Sequence, residues 1–307
     1  MSELKKLQRK AKRVELPASD DAMTELKQLI RRHDALTRAS VALDQMSSDK
    51  EARQDIPERG IKAKDKIPNV LPEDTKAELQ VMSDKRKKEA GKIEPLMVRC
   101  LKNVPVYQLF LKHIKGMGPV IASYLISSID VNESIKPSQL IRYCGLGVSN
   151  GKADRPTKGE KLPYNKNLKV KLWQFMSMGR MSSGGTPNNK YQQIWADYKH
   201  GIRTGRGWVP DKKDPTKGHL VRADGEIKPM GWIDATGRRK ATSVFLEDLY
   251  IVWRTLEGLD VWPAYHAKQL GHFHGGKVCN NTPRRLTIDE ALELVAWKGR
   301  VVAEAAE

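Results

Sequence analysis

Cysteine is nearly missing from this sequence: the chain has 307 residues and only 3 cysteines, Cys100, Cys144 and Cys279. They are odd in number and too far apart for a zinc spacing, which excludes a disulfide scaffold or a zinc ribbon and fits a reducing interior. Long apolar runs are missing too. No stretch approaches the roughly 18 uninterrupted apolar residues of a spanning helix, so no membrane contact is expected. The basic start MSELKKLQRKAKRVELP is not followed by an apolar segment, so a secretory leader is not expected and a soluble, cytoplasmic protein is. Acidic residues are in short supply: 37 Asp and Glu face 55 Lys and Arg, for a net charge of +18. A polyanionic partner is the first expectation. What remains, 39% hydrophobic and 30% charged residues, suffices for a core in one large or two modest domains.

The charge is unevenly placed. Residues 1–14 carry +5 and residues 145–240 carry +12, which together make 17 of the 18 excess charges. Glycine changes at the same place, with 4 in residues 1–144 and 19 in residues 145–307. A diffuse excess says only that a face is solvated; one concentrated in a glycine-rich half favours phosphate binding.

Hydrophobic spacing divides the chain further. After the N-cap candidate Ser19, residues Met23, Leu26, Ile30, Leu36, Leu43 and Met46 follow a helical period and predict one long amphipathic helix. A polar stretch punctuated by Pro57, Gly60, Pro68 and Pro72 reads as a loop. From Glu73, Leu79, Met82, Ile93, Leu96, Cys100 and Leu101 continue the seam, with a kink expected at Pro95. Two such helices returning on one another predict an antiparallel coiled-coil arm over residues 18–104, preceded by a basic tail, 1–17.

The second half opens on VPVYQLFLKHIKGMGPVIASYLISSID, read as a helix from Val106 to Ile114, a Gly116-Met117-Gly118 turn and a helix opened by Pro119. This is a helix-hairpin-helix pattern. Glycines in such a turn let backbone N–H groups approach a phosphate, and the following helix N-terminus adds attraction. A tight connection alone also selects glycine, but Lys115 beside the turn favours the phosphate role. A short helix from Pro137 stops at Gly145, a basic loop follows from Lys152 to Lys166, and NLKVKLWQFMSMGRM reads as a helix. Residues 184–237 are rich in Gly, Pro, Asn and Asp and are expected to be an irregular insertion with a short hairpin near Asp224-Gly225. RRKATSVFLEDLYIVWRTLEG is expected to open a helix at Arg238, and a capped helix begins at Thr287. The fold class expected is mostly α.

The segments IKGMGPVIASYLISSID, KPSQLIRYCGLG, NLKVKLW and RRKATSVFLEDLYIVWR, in this order, resemble the C-terminal domain of the IS-one-ten family of insertion-sequence transposases. The pattern there is a G-x-G-P turn, an aliphatic helix, P-x-x-L, Y-x-G-L and an N-x-x-L-K/R-x-x-L helix. The same block is similar to the Nop domain of box C/D ribonucleoproteins, which also follows a long antiparallel coil; GMGPVIAS, Ser128-Ile129 and Lys136-Pro137-Ser138-Gln139-Leu140 carry that likeness. Between the two stand the Tas proteins of tandem interspaced guide RNA systems of prokaryotes and their viruses, and the chain resembles a nuclease-free member in size and layout. This resemblance implies a helical Nop-like RNA-binding domain over residues 105–307, with a prokaryotic or viral-host cytoplasm as its setting.

The transposases carry a RuvC-like domain with four metal-binding carboxylates ahead of their coil. About eighteen residues precede the first predicted helix here, so that domain is expected to be absent. Asp130, Asp154, Glu160, Asp197 and Asp234 lack the spacing that holds two Mg²⁺ ions. The transposases also use a serine nucleophile, and their motif falls on Ser149. The proline before it is Val148 in this chain, and no histidine lies within fifty residues downstream, so a loop serine capping a turn is the plainer reading. His266, His272, His274 and Cys279 match neither a zinc nor an HNH spacing and are expected to form a surface loop. No cofactor is expected, and catalysis is not; were the chain a transposase or recombinase, Ser149 would be the residue it uses.

Candidate phosphate contacts are Lys115, Gly116, Gly118, Lys136, Ser138, Lys152, Arg155, Lys158, Lys161, Lys166, Lys169, Arg238, Arg239 and Lys240. Three cations at a helix start oppose the helix dipole unless an anion offsets them, which is the strongest sign at Arg238–Lys240. Trp208, Trp232 and Trp262 sit near basic residues and are candidates for stacking on bases, core burial being the plainer role. The function expected is that of a dimeric guide-RNA-binding protein, joined through its arm, that recognises target DNA through the RNA. The alternatives are a divergent IS-one-ten-like transposase and a helix-hairpin-helix DNA-binding protein without RNA.

Overall fold

The computed structural model describes residues 20–47, 71–149, 152–154, 156, 159, 161–182, 186–211, 214, 218–263 and 283–296. The basic tail, Ser19, the loop at 48–70, Arg155, Lys158, His266, His272, His274 and Cys279 lie outside them. The described chain is mostly helical, with two small antiparallel sheets. It divides into two compact units, one drawn from Ala18–Lys102 and the other from Asn103 onward.

The first unit is a helical hairpin. Helix α1 (Asp20–Ser47) runs against α2 (Glu73–Gly91) and α3 (Glu94–Leu101). The direction is fixed by side-chain pairs: Glu25 meets Arg99 at 2.5 Å, the Ser83 hydroxyl donates to the Ser40 carbonyl at 3.1 Å, and the Ser47 hydroxyl donates to the Gln80 side-chain oxygen at 3.3 Å. Positions rise on one side as they fall on the other, so the helices are antiparallel. Pro95 does not kink a continuous helix. The chain breaks at Lys92-Ile93 and Pro95 sits in the first turn of α3, where its missing N–H leaves no bond unmade.

The seam differs from the one the spacing predicts. Leu26, Ile30, Ala90, Ile93, Met97, Cys100 and Leu101 are buried, but Met46, Met82 and Leu96 are exposed. Toward the hairpin tip the inward positions are polar: Ser40 and Ser83 are buried, and the Ser83 hydroxyl also donates to Asp44 at 2.6 Å. That bond, with Lys87 beside it, holds the Asp44 carboxyl below its ordinary pKa.

The second unit is built around one 27-residue helix. It comprises α4 (Pro105–Leu109), α5 (Pro119–Ser128), α6 (Pro137–Ile141), α7 (Lys166–Ser182), α8 (Lys190–Arg203), α9 (Met230–Leu256) and α10 (Ile288–Val295). Strands β1 (Val148–Ser149) and β2 (Lys152–Ala153) form a hairpin, and β3 (Trp208–Pro210), β4 (Gly218–Val221) and β5 (Ile227–Pro229) form a meander. Helix α9 packs against α4, α6, α7, α8 and α10. Its Phe245 gathers an aromatic core, 4.9 Å from the ring of Phe175 on α7 and 5.2 Å edge-on from Tyr191 on α8. Farther along, the Arg254 guanidinium donates to the carbonyls of Val131, Ser134 and Asp260, fixing the loop between α5 and α6.

Three expectations change here. The segment 184–237 is not irregular, since it holds α8, the β3–β4–β5 meander and the start of α9; the turn at Asp224-Gly225 does join β4 to β5. Helix α9 begins at Met230, eight residues before Arg238. The helix expected from Val106 to Ile114 is the five-residue α4 followed by a 3₁₀ turn, Leu111–His113. The closing helix is capped as expected, with the Thr287 side chain accepting from the Glu290 N–H while the Glu290 carboxylate accepts from the Thr287 N–H.

Candidate nucleic-acid interface

The candidate cations are positioned from α6 outward. That helix passes into one π turn, Arg142–Leu146, which ends where Gly145 takes φ +80°. The chain then leaves through Gly147 into the β1–β2 hairpin, which pairs Val148 with Ala153 and Ser149 with Lys152. Ser149 and Lys152 therefore face each other in the ladder, and Ser149 lies in a strand rather than a loop. The Asn165 side chain caps α7 by accepting from the Leu168 N–H at 3.1 Å, and its backbone N–H donates to the Tyr143 carbonyl at 2.9 Å. This brings the start of α7 to the π turn. Lys169 lays its stem on Gly145 and its ammonium 4.4 Å from the centre of the Tyr164 ring.

Arg239 reaches the same place from α9. Its guanidinium donates to the carbonyls of Leu146 and Gly147, and the Asp154 charge acts on it. Arg142 lies 3.9 Å from that carboxylate, whose side chain is nearly buried. Arg239 thus clamps the base of the β1–β2 hairpin through its Nη2 donors.

Arg238, one residue earlier, points elsewhere. Its guanidinium lies 5.4 Å from the Trp173 ring centre on α7 and 5.6 Å from that of Trp195 on α8, and donates to the Ser177 hydroxyl at 3.2 Å. Because α9 starts at Met230, Arg238–Lys240 stand in its third turn, and the conflict with the helix dipole expected there does not arise. Lys240 is exposed, 5.5 Å from the Tyr198 ring centre. Lys199 lies 5.7 Å from the Trp195 ring centre and pairs with Asp234 at 2.6 Å.

The glycine turn lies at another junction. Gly116 has φ +91°, which a side chain would strain, whereas Gly118 has ordinary backbone angles and open space where a Cβ would stand. Asn189, the N-cap of α8, donates from its side chain to the Lys115 carbonyl at 2.8 Å, tying the turn to α8. One residue on, Lys190 is drawn inward and meets Asp248 at 2.6 Å, and the Tyr191 hydroxyl donates to the same carboxylate at 2.8 Å. Burial still pushes the Asp248 carboxyl above its ordinary pKa, and burial beside Asp248 pushes Glu247 up to about 8. This cluster pins α8 to α9. Lys136 and Ser138 are exposed at the start of α6, with the Lys136 ammonium 5.5 Å from the Trp262 ring centre.

The structure brings Lys169 and Arg239 together at the π turn, places Arg238 and Lys240 on the adjoining α7–α8–α9 side, and leaves Lys115 and Lys136 at separate junctions. No described carboxylate pairs with Lys115, Lys136, Lys161, Lys166, Lys169 or Lys240, whereas Lys190, Lys199, Arg222 and Lys228 of the same unit pair with acids, as Lys76, Arg86, Lys87 and Arg99 do in the arm. Among the described residues no group of three or more His, Cys, Asp or Glu side chains has metal-binding proximity, and no helix is long and apolar enough to cross a membrane. Sequence reasoning passed over Trp173, Trp195, Tyr198 and Arg142. The signal for Trp173 was its place one turn after Lys169 on α7, an aromatic ring beside a cation. No protein-family model, curated protein or solved structure matches the chain.

Proposed function

We propose that this chain is an RNA-binding scaffold: its second unit holds a structured guide RNA, its arm joins two copies, and the RNA's bases select a DNA target that the protein does not cut. What carries this reading is the charge balance of that unit. The segment with +12 supplies exposed lysines that no described carboxylate pairs with, grouped beside a hairpin, a helix start and a row of aromatic rings. Phosphates are the ligands such groups neutralise, and flat rings beside them suit unpaired bases. The uncapped start of α5 after Gly118 adds N–H donors at one edge. For the arm, the support is its exposed apolar side chains, among them Val81 at 69% and Met82 at 49%, which a second copy would cover.

The test is the nucleic acid that travels with the purified protein. Material destroyed by RNase and resistant to DNase, in a complex with the mass of two chains, is the expected result. Protein that emerges free of RNA and does not take up structured RNA would overturn the reading, and a covalent DNA adduct lost in Ser149→Ala would replace it with the transposase alternative.

A further inference from the structure

Helix α7 carries an indole that the fold does not use up. Trp173 is 47% exposed, though it lies between Phe175 and Leu172, which are buried. One side of the ring faces the Arg238 guanidinium, whose other neighbours are the ring of buried Trp195 and the Ser177 hydroxyl. The order is therefore exposed ring, cation, buried ring, and then the Lys199 ammonium over Trp195. A guanidinium held on both sides cannot swing away, so it fixes the Trp173 ring at low entropic cost to any ligand. Val170, one turn before it on the same side of α7, is exposed as well. Lys166 is exposed two turns toward the N-terminus, and no described carboxylate pairs with it.

We infer that Trp173, backed by Arg238, is a stacking platform for one unpaired nucleobase, with Lys166 placed for a phosphate on the strand that carries it. The chemistry is specific in kind. An exposed flat ring with a cation behind it binds a π-face, and an adjacent ammonium binds an anion, so the ligand joins both: a single-stranded nucleotide segment. Duplex presents no free base face here and is not the ligand of this platform. The inference rests on the nucleic-acid reading above but adds a residue and a strand state to it.

The experiment uses the full chain with two labelled oligonucleotides of equal length, a single-stranded one and one whose sugars carry no bases. Trp173→Ala is expected to weaken the first by about tenfold or more and leave the second unchanged. Trp173→Phe, which keeps a ring, restores most of the affinity. Bound wild type also loses indole emission that bound Trp173→Phe does not lose. Equal binding of the base-bearing strand by wild type and Trp173→Ala overturns the platform and leaves the broader function standing. Equal weakening of both strands also overturns it, by showing that Trp173 acts through the packing of Arg238. Wild type that binds neither strand nor structured RNA overturns both readings and leaves the indole as a surface for a protein partner.

Discussion

Gly145 shows how one residue holds the interface together. At φ +80° an L side chain is strained, and a Cβ there would stand 2.7 Å from Lys169 Cδ and 2.9 Å from Tyr164 Cδ2. Gly145→Ala should therefore lower stability by about 1–3 kcal/mol and displace Lys169, read as a lower urea midpoint together with weaker RNA binding. Its stop was visible in sequence, because a glycine after a short apolar helix is a left-handed cap. Arg239 was legible as a cation and not as a clamp, since its partners are carbonyls 92 and 93 residues away that no spacing reveals. Glu247 gives a pH signature. Its carboxyl rises from 4.5 to about 8, so between those values the folded chain keeps a proton the unfolded chain has released, and stability falls as pH rises. Thermal melts from pH 5 to 8 should show that fall, and Glu247→Gln should flatten it. A melting temperature that rises over this range in wild type, or an unchanged slope in the variant, contradicts the assignment.

At the scale of elements, helix existence was readable from period and caps, and helix ends were not. The α9 start was lost because Met230–Gly237 contains two glycines and reads as loop. Gly237 is there for α8, whose Trp195 and Tyr198 rings lie 2.8 Å from where its Cβ would be. The meander at 208–229 was hidden for a related reason, as its strands of three and four residues are too short to display a period. The arm was recognised as a hairpin although Met46, Met82 and Leu96 of its expected seam are exposed, because the polar pairing of Ser83 with Ser40 and Asp44 does the positioning that apolar residues do nearer Met97. The hub role of α9 has a direct consequence. Phe245→Ala removes the ring that Phe110, Phe175 and Tyr191 all meet, and should cost about 3–5 kcal/mol of unfolding free energy. A loss below about 1 kcal/mol by chemical denaturation would mean the four rings do not form one core.

For the whole molecule, the charge distribution carried most of what the sequence says about function, since it needs no fold to be counted. What it could not say is which cations share a surface. Arg238 and Arg239 are neighbours in sequence yet serve different contacts, and Lys190, inside the basic segment, is spent on buried Asp248. The claim at stake is that lysines such as Lys166 neutralise the phosphates of an RNA. The measurement is the affinity of the full chain for a structured RNA at several salt concentrations. Log affinity should fall linearly with log salt, with a slope of about −0.7 to −0.9 for each phosphate neutralised, and Lys166→Ala should make that slope shallower by about one such unit. An affinity indifferent to salt, or a slope untouched by the substitution, would contradict the account.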